Sequence, residues 1–130
     1  MDKNQKISVI IPTYNSSNFI QKTLESLASQ TVLPEEIIIV DDGSEDNTVE
    51  IINKWAQYKK SLNIKLKQNH HKGPGETRNI GIQLSKGDWI SFLDSDDTWE
   101  PKKIYEVKKI IRKNINVNFI THYEYFINKD

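Results

Sequence analysis

Two runs of β-branched residues, Ile7-Ser8-Val9-Ile10-Ile11 and Ile37-Ile38-Ile39-Val40, constrain this chain more than any other feature. Each is apolar at almost every position of an extended backbone, so neither side of the strand can face water. Strands of that kind sit inside a sheet that is covered on both faces, which is the habit of parallel sheets. Parallel neighbours in turn need a long crossover, and a helix is its usual form.

The intervening sequence supplies such crossovers. Ile20, Leu24, Leu27 and Ala28 recur at helical spacing, with Ser16 or Ser17 as the N-cap and an end near Gln30. After the second run, Asp46 or Asn47 can cap a helix whose apolar face is Val49, Ile52, Trp55 and Ala56, widened by Ile51 and Tyr58. Ile64 to Lys67 alternates and predicts a third, less buried strand. Asn69 to Gly75 reads as a loop, Glu76 to Lys86 as a helix that Gly87 stops, and Trp89 to Leu93 as a fourth strand. Pro101 suits the first turn of a helix with Ile104, Val107 and Ile111 inward, and Val117 to Thr121 predicts a fifth strand. Strand-helix alternation of this kind predicts an α/β fold, a mostly parallel sheet with helices on both faces and right-handed crossovers.

Length and charge narrow the function. At roughly 100–200 residues per domain, 130 residues predict a single domain over 1–130. The 18 basic and 18 acidic side chains cancel, so nothing draws the whole chain to nucleic acid, and a charged ligand must be met by local features. The absence of cysteine removes disulfides, thiolate metal sites and cysteine nucleophiles, and fits a reducing compartment. Met1-Asp2-Lys3-Asn4-Gln5-Lys6 leads straight into a short run that ends at Pro12, which is no signal-peptide pattern, and no stretch reaches the ~18 apolar residues of a membrane span. The lysines of 102–113 read as a solvated helix surface, with a membrane-surface role as the alternative.

In open parallel sheets the ligand crevice lies beyond the carboxyl ends of the strands. The unusual polar clusters fall there: Pro12-Thr13-Tyr14-Asn15, Asp41-Asp42-Gly43-Ser44 and Asp94-Ser95-Asp96-Asp97. Together they predict a crevice with five carboxylates. Extended backbone would aim Asp94 and Asp96 the same way, and a hard divalent cation is held by one or two carboxylates plus phosphate oxygens. The alternative is a polar turn that caps a helix near Thr98. An ionised Asp42 can only accept, from a base N–H or a ribose hydroxyl, and Tyr14 offers a face for stacking. Arg78, behind Gly73-Pro74-Gly75 at a helix start, suits phosphate or else the surface. His70 and His71 read as loop residues, since neighbours in extended chain point opposite ways.

Four segments, ISVIIPTYN (7–15), IIIVDDGS (37–44), GPGETRNIG (73–81) and GDWISFLDSDD (87–97), together resemble the family 2 glycosyltransferases, in family order. The resemblance implies a Rossmann-like GT-A fold and an inverting transferase that takes a sugar from a nucleotide-diphosphate donor, usually UDP-linked, with Mg²⁺ or Mn²⁺. It implies that Pro12, Thr13 and Tyr14 line the base and ribose, that Asp42 binds the uracil or ribose, and that Arg78 lies near the phosphates. Asp94-Ser95-Asp96 matches the family's DXD motif, with Asp96 the metal ligand, Asp97 an alternative ligand, and Asp94 and Ser95 at the nucleotide.

The family's general base is expected beyond the end of this chain; Glu124 carries no motif and no role. The chain is thus expected to be the C-terminally truncated donor half of an enzyme of polysaccharide or glycoconjugate assembly, without its acceptor-binding portion. A glycan or glycolipid acceptor and a cytoplasmic location, with peripheral association at the inner face of the membrane, complete the expectation. The rival is a non-catalytic nucleotide-sugar-binding module. A phosphoacceptor signalling domain would need an acidic pair after the first strand, and a dinucleotide-binding oxidoreductase a G-x-G-x-x-G there.

Overall fold

The computed structural model describes residues 5–127; the leading Met1-Asp2-Lys3-Asn4 and the final Asn128-Lys129-Asp130 lie outside that range. Eight elements alternate: β1 (Ile7–Thr13), α1 (Ile20–Ala28), β2 (Glu36–Asp41), α2 (Thr48–Tyr58), β3 (Ile64–Gln68), α3 (Pro74–Leu84), β4 (Trp89–Phe92) and α4 (Lys103–Lys113). The strands form one parallel sheet in the order β3-β2-β1-β4. The two β-branched runs are its two central strands. β2 is buried at every residue and β1 at all but Pro12, whereas the edge strands β3 and β4 are partly exposed.

The faces are covered unequally. Val9, Ile11, Ile37 and Ile39 pack with Ile20, Leu24 and Leu27 of α1, Ile52 and Trp55 of α2, and Ile104 of α4. On the other face Ile10, Ile38 and Val40 meet Ile80 of α3. A fully buried aliphatic side chain contributes about 1.5–3 kcal/mol, so the three-helix face holds most of the apolar stabilisation.

The thinner face depends on close approach. A Cβ built on Gly81 of α3 would overlap Ile10 Cγ2, while one on Gly75, in the first turn of the same helix, would meet open space. Overpacking costs about 1–3 kcal/mol and exceeds the ~1 kcal/mol that alanine gains over glycine in a helix. Urea titration should therefore show Gly81→Ala destabilised by about 1–2 kcal/mol and Gly75→Ala unchanged or stabilised; equal behaviour of the two would contradict tight packing of α3 on β1.

At the opposite end of the sheet from the strand carboxyl termini, Glu36 gathers four segments. Its Oε1 accepts from Ser8 Oγ at 2.7 Å and from the Lys86 amide at 2.6 Å, and its Oε2 accepts from Lys65 Nζ at 2.6 Å. Ser8 Oγ in turn accepts from the Gly87 amide at 2.8 Å. Burial alone would raise the Glu36 pKa, but the hydrogen bonds from Lys65, Ser8 and Lys86 and the Lys65 charge outweigh it and hold the carboxyl below its ordinary value.

Several boundaries differ from the sequence expectation. The fifth strand, expected over Val117 to Thr121, does not form: the Val117 amide closes a turn on Asn114 O, Phe119 is 77% exposed, and the sheet of the described residues has four strands. Apolar residues announce burial, but a strand also needs an edge to pair with, and this segment meets none. α1 begins at Ile20 with Phe19 as the cap residue, because the Ser16 carbonyl, not a serine hydroxyl, receives the Phe19 and Ile20 amides. α3 begins at Pro74, two residues before Glu76, with the proline where no amide is needed. α4 begins at Lys103, after Pro101.

Candidate functional site

The carboxyl ends of β1, β2 and β4 open on a cleft of about 430 Å³. Eight residues that the sequence marks for the nucleotide or the metal line it: Pro12, Thr13 and Tyr14 beyond β1, Asp42 beyond β2, Arg78 on α3, and Asp94, Ser95 and Asp96 beyond β4; Asp97, the alternative ligand, stands outside this lining. His71 and Ser16 also line it, and the sequence reading assigned them no such place.

The first wall is built by ties between the loops after β1 and β2. Asn15 adopts a left-handed conformation (φ 46°), which asparagine tolerates better than most residues. In that pose its amide donates to Ser44 Oγ at 2.9 Å and its Oδ1 accepts from the Glu45 amide at 2.8 Å. Asp46 Oδ1 accepts from the Thr48 amide at 3.0 Å and Oδ2 from the Ser17 amide at 3.2 Å. These bonds, led by the Thr48 hydroxyl, lower the Asp46 pKa to about 2. Thr13 lines the cleft, and its Oγ1 is buried with no hydrogen-bond partner among the described residues.

Asp41 corrects the expectation of five carboxylates in the crevice. It is turned into its own loop, where it accepts from the Ser44 amide at 3.0 Å and from the Ser44 hydroxyl, and it does not line the cleft. Asp42 does, although it is only 3% exposed. Its Oδ1 accepts from the Lys72 amide at 2.8 Å and its Oδ2 from the Gly73 amide at 2.9 Å. Burial would raise the Asp42 pKa, but these amides, the Thr77 hydroxyl and His71 outweigh it and keep the carboxyl low and ionised. Gly43 (φ 80°) lets the 69–71 backbone close on this turn, since a Cβ there would lie 3.1 Å from the His71 amide nitrogen. The His71 ring lies against Tyr14, centroids 4.3 Å apart.

The opposite wall is the turn after β4. The Asp97 amide donates to Asp94 O at 3.1 Å, so of the two arrangements open from the sequence, extended backbone or a polar turn, the segment adopts the turn. Ser95 points inward and its Oγ lies 2.6 Å from Ser16 Oγ, while its carbonyl accepts from Thr23 Oγ1 at 2.9 Å. With Ser95 anchored to α1 and its approach, Asp94, Asp96 and Asp97 remain exposed, and carboxylate oxygens from all three lie within 4.8 Å of one another. Partial burial and then the charges of Asp96, Asp94 and Glu124 push the Asp97 pKa up. Arg78 Nη2 reaches Asp94 Oδ1 at 3.0 Å. Both partners are well exposed, so the pair orients side chains more than it stabilises the fold.

This donor set fits a hard divalent cation such as Mg²⁺ or Mn²⁺. It is all oxygen and all carboxylate, and three carboxylates with oxygens within 4.8 Å of one another repel in a way that a cation between them would relieve.

Known proteins share both sequence and shape. The sequence model of glycosyl transferase family 2 matches residues 8–130. WfaP of Escherichia coli, a UDP-Glc:alpha-D-GlcNAc-diphosphoundecaprenol beta-1,3-glucosyltransferase, is 41% identical over 130 residues, which covers 95% of this chain and 47% of WfaP. TarS 1–349 of Staphylococcus aureus, solved in complex with UDP-GlcNAc, superposes with a TM-score of 0.76 at 36% identity over 85% of this chain and 32% of that one. The mannosyltransferase PcManGT of Pyrobaculum calidifontis, solved with GDP-Man and Mn²⁺, gives a TM-score of 0.75 at 25% identity over 82% of this chain and 32% of its own. The chain thus spans less than half the length of each.

Proposed function

The chain belongs to glycosyl transferase family 2, with an α/β fold of the GT-A type, and from that premise we propose that its cleft binds a UDP-linked sugar for transfer, with inversion, to a glycan or glycolipid acceptor in the presence of Mg²⁺ or Mn²⁺. The activity, donor and acceptor of the whole protein all belong to this proposal. The observation that carries it is the pairing, across one cleft, of a buried ionised Asp42 beside an aromatic face with a three-carboxylate turn.

The residues divide the nucleotide between them. Tyr14 gives a stacking face, and Pro12 and Thr13 line the base and ribose. Asp42 Oδ1 takes one amide and keeps a further lone-pair site, enough for the imide N–H of uracil or a ribose hydroxyl. Asp94 and Ser95 hold the ribose side, and Arg78, already turned toward Asp94, lies where a diphosphate could exchange for that partner.

Asp96 would be the principal metal ligand, with Asp94 and Asp97 beside it. A bound divalent ion neutralises the charge that develops on the leaving diphosphate. Deprotonation of the acceptor hydroxyl needs a general base on the far side of the sugar, a part that we assign to none of the described residues. A lipid-linked acceptor would bring the protein to the inner face of the cell membrane by peripheral contact; no helix among the described residues is long and apolar enough to cross it.

Calorimetric titration with UDP, CDP and GDP in the presence of Mn²⁺ tests the reading. Cytosine turns a lone pair, where uracil has an N–H, toward Asp42. UDP should therefore bind at least about tenfold more tightly than CDP, the worth of one charge-assisted hydrogen bond. Absence of nucleotide binding, or equal binding of UDP and CDP, would overturn it.

A further inference from the structure

We infer that His71 is a nucleotide-contacting residue, which extends the Tyr14 face under the base and adds a hydrogen-bond acceptor beside Asp42; the inference rests on the nucleotide site proposed above. Its imidazole is held on three sides. Nδ1 lies 3.1 Å from Asp42 Oδ2 and 3.2 Å from the Asp42 carbonyl oxygen. Both atoms are acceptors, so Nδ1 carries the proton, and in the neutral ring Nε2 is left with its lone pair on the far side. The ring rests on Tyr14 at 4.3 Å with planes inclined by 31°. The backbone on its C-terminal side is pinned, because the Lys72 and Gly73 amides both donate to Asp42, and Gly43 admits the His71 amide at close range.

A histidine serving only as a latch for its loop would have no need to face the cleft. His71 spends one edge on Asp42, keeps 61% of its side chain exposed and lines the cleft. Asp42 itself is almost wholly buried, and three N–H donors already take three of its roughly four lone-pair sites. The Asp42–His71 pair therefore carries the acceptor character of that carboxylate outward: the carboxylate fixes the tautomer, and Nε2 meets a base N–H or a ribose hydroxyl. Tyr14 and His71 side by side give a broader stacking surface than either ring alone.

Titration of the 130-residue chain with uridine and with UDP, alongside the imidazole NMR signals of its three histidines, tests this. His71→Ala should weaken uridine and UDP by the same factor, about 5- to 100-fold for one lost stacking contact, and leave the response to Mn²⁺ intact. His71→Phe should recover part of that loss through its ring. In the unsubstituted protein the imidazole signals that vanish in His71→Ala should shift on addition of uridine. Uridine binding without a shift of those signals would reduce His71 to a loop support and overturn the inference, even if His71→Ala folds poorly. Binding of neither uridine nor UDP would instead bring down the nucleotide site, and this inference with it.

Discussion

Asp96→Ala should strip UDP binding of its response to Mn²⁺ while leaving metal-free binding equal or slightly stronger. The opposite signs follow from the turn after β4. Three carboxylates within 4.8 Å of one another repel by about 3.5 kcal/mol per pair at an effective dielectric of ~20, and by about 1 kcal/mol in bulk water. The cluster is exposed, so the true cost lies toward the smaller figure. A diphosphate adds charge of the same sign, and removing one carboxylate without metal relieves the repulsion. With Mn²⁺ present the same substitution removes a ligand. Even a ligand worth no more than a charge-assisted hydrogen bond, about 1.5–3 kcal/mol, would leave affinity roughly 10- to 100-fold lower. Calorimetry with and without Mn²⁺ reads both effects. Asp97→Ala should do less; full loss in Asp97→Ala with retention in Asp96→Ala would transfer the ligand role to Asp97.

The largest expected loss of stability comes from the other end of the sheet. Glu36→Ala should lower the unfolding free energy by about 2–4 kcal/mol, a large part of the 5–15 kcal/mol typical of a domain. The loss falls below the ~3–5 kcal/mol for breaking a fully buried ion pair because the Lys65 side chain is 36% exposed and can turn to water. What remains stranded is the Ser8 hydroxyl and the Lys86 amide, beside a cavity. Glu36→Gln keeps the shape and should cost less.

The pH dependence has a definite sign. The folded pKa of Glu36 is lowered, so its contribution is complete above the ordinary value of 4.5 and is lost as pH falls through the folded value. Urea midpoints measured between neutral pH and mild acid should therefore fall less steeply in Glu36→Gln than in the unsubstituted chain. Parallel curves would mean that Glu36 titrates alike in the folded and unfolded states.

The parts of the molecule legible in the sequence are those set by short-range periodicity. Ile7 to Ile11 and Ile37 to Val40 announce central strands because they are apolar on both parities, and Ile20, Leu24 and Leu27 announce a helix because they share one stripe. Val117 to Thr121 carries a similar signal and forms no strand, since periodicity reports burial but not the partner edge. The site divides in the same way. Tyr14, Asp42, Arg78 and Asp96 stand beside turns and strand ends that the sequence marks. His71 does not, because contacts with Asp42 and Tyr14, 29 and 57 positions away, determine where its ring lies. Ser16 likewise becomes a cleft residue through Ser95, at a separation of 79. Asp41 misled for the converse reason: its partner, Ser44, is three positions on and draws it away from the cleft.

The strand order has a consequence for biosynthesis. β1 is a central strand, yet its neighbours are β2 and β4, and Ile7 pairs across to Trp89. At a ribosomal pace of about 5–20 residues per second, the first strand made waits roughly 4–16 s for the residues that close its second side. Throughout that interval β1 has an open edge, and it is β4, the latest to be made of the four described strands, that shelters it.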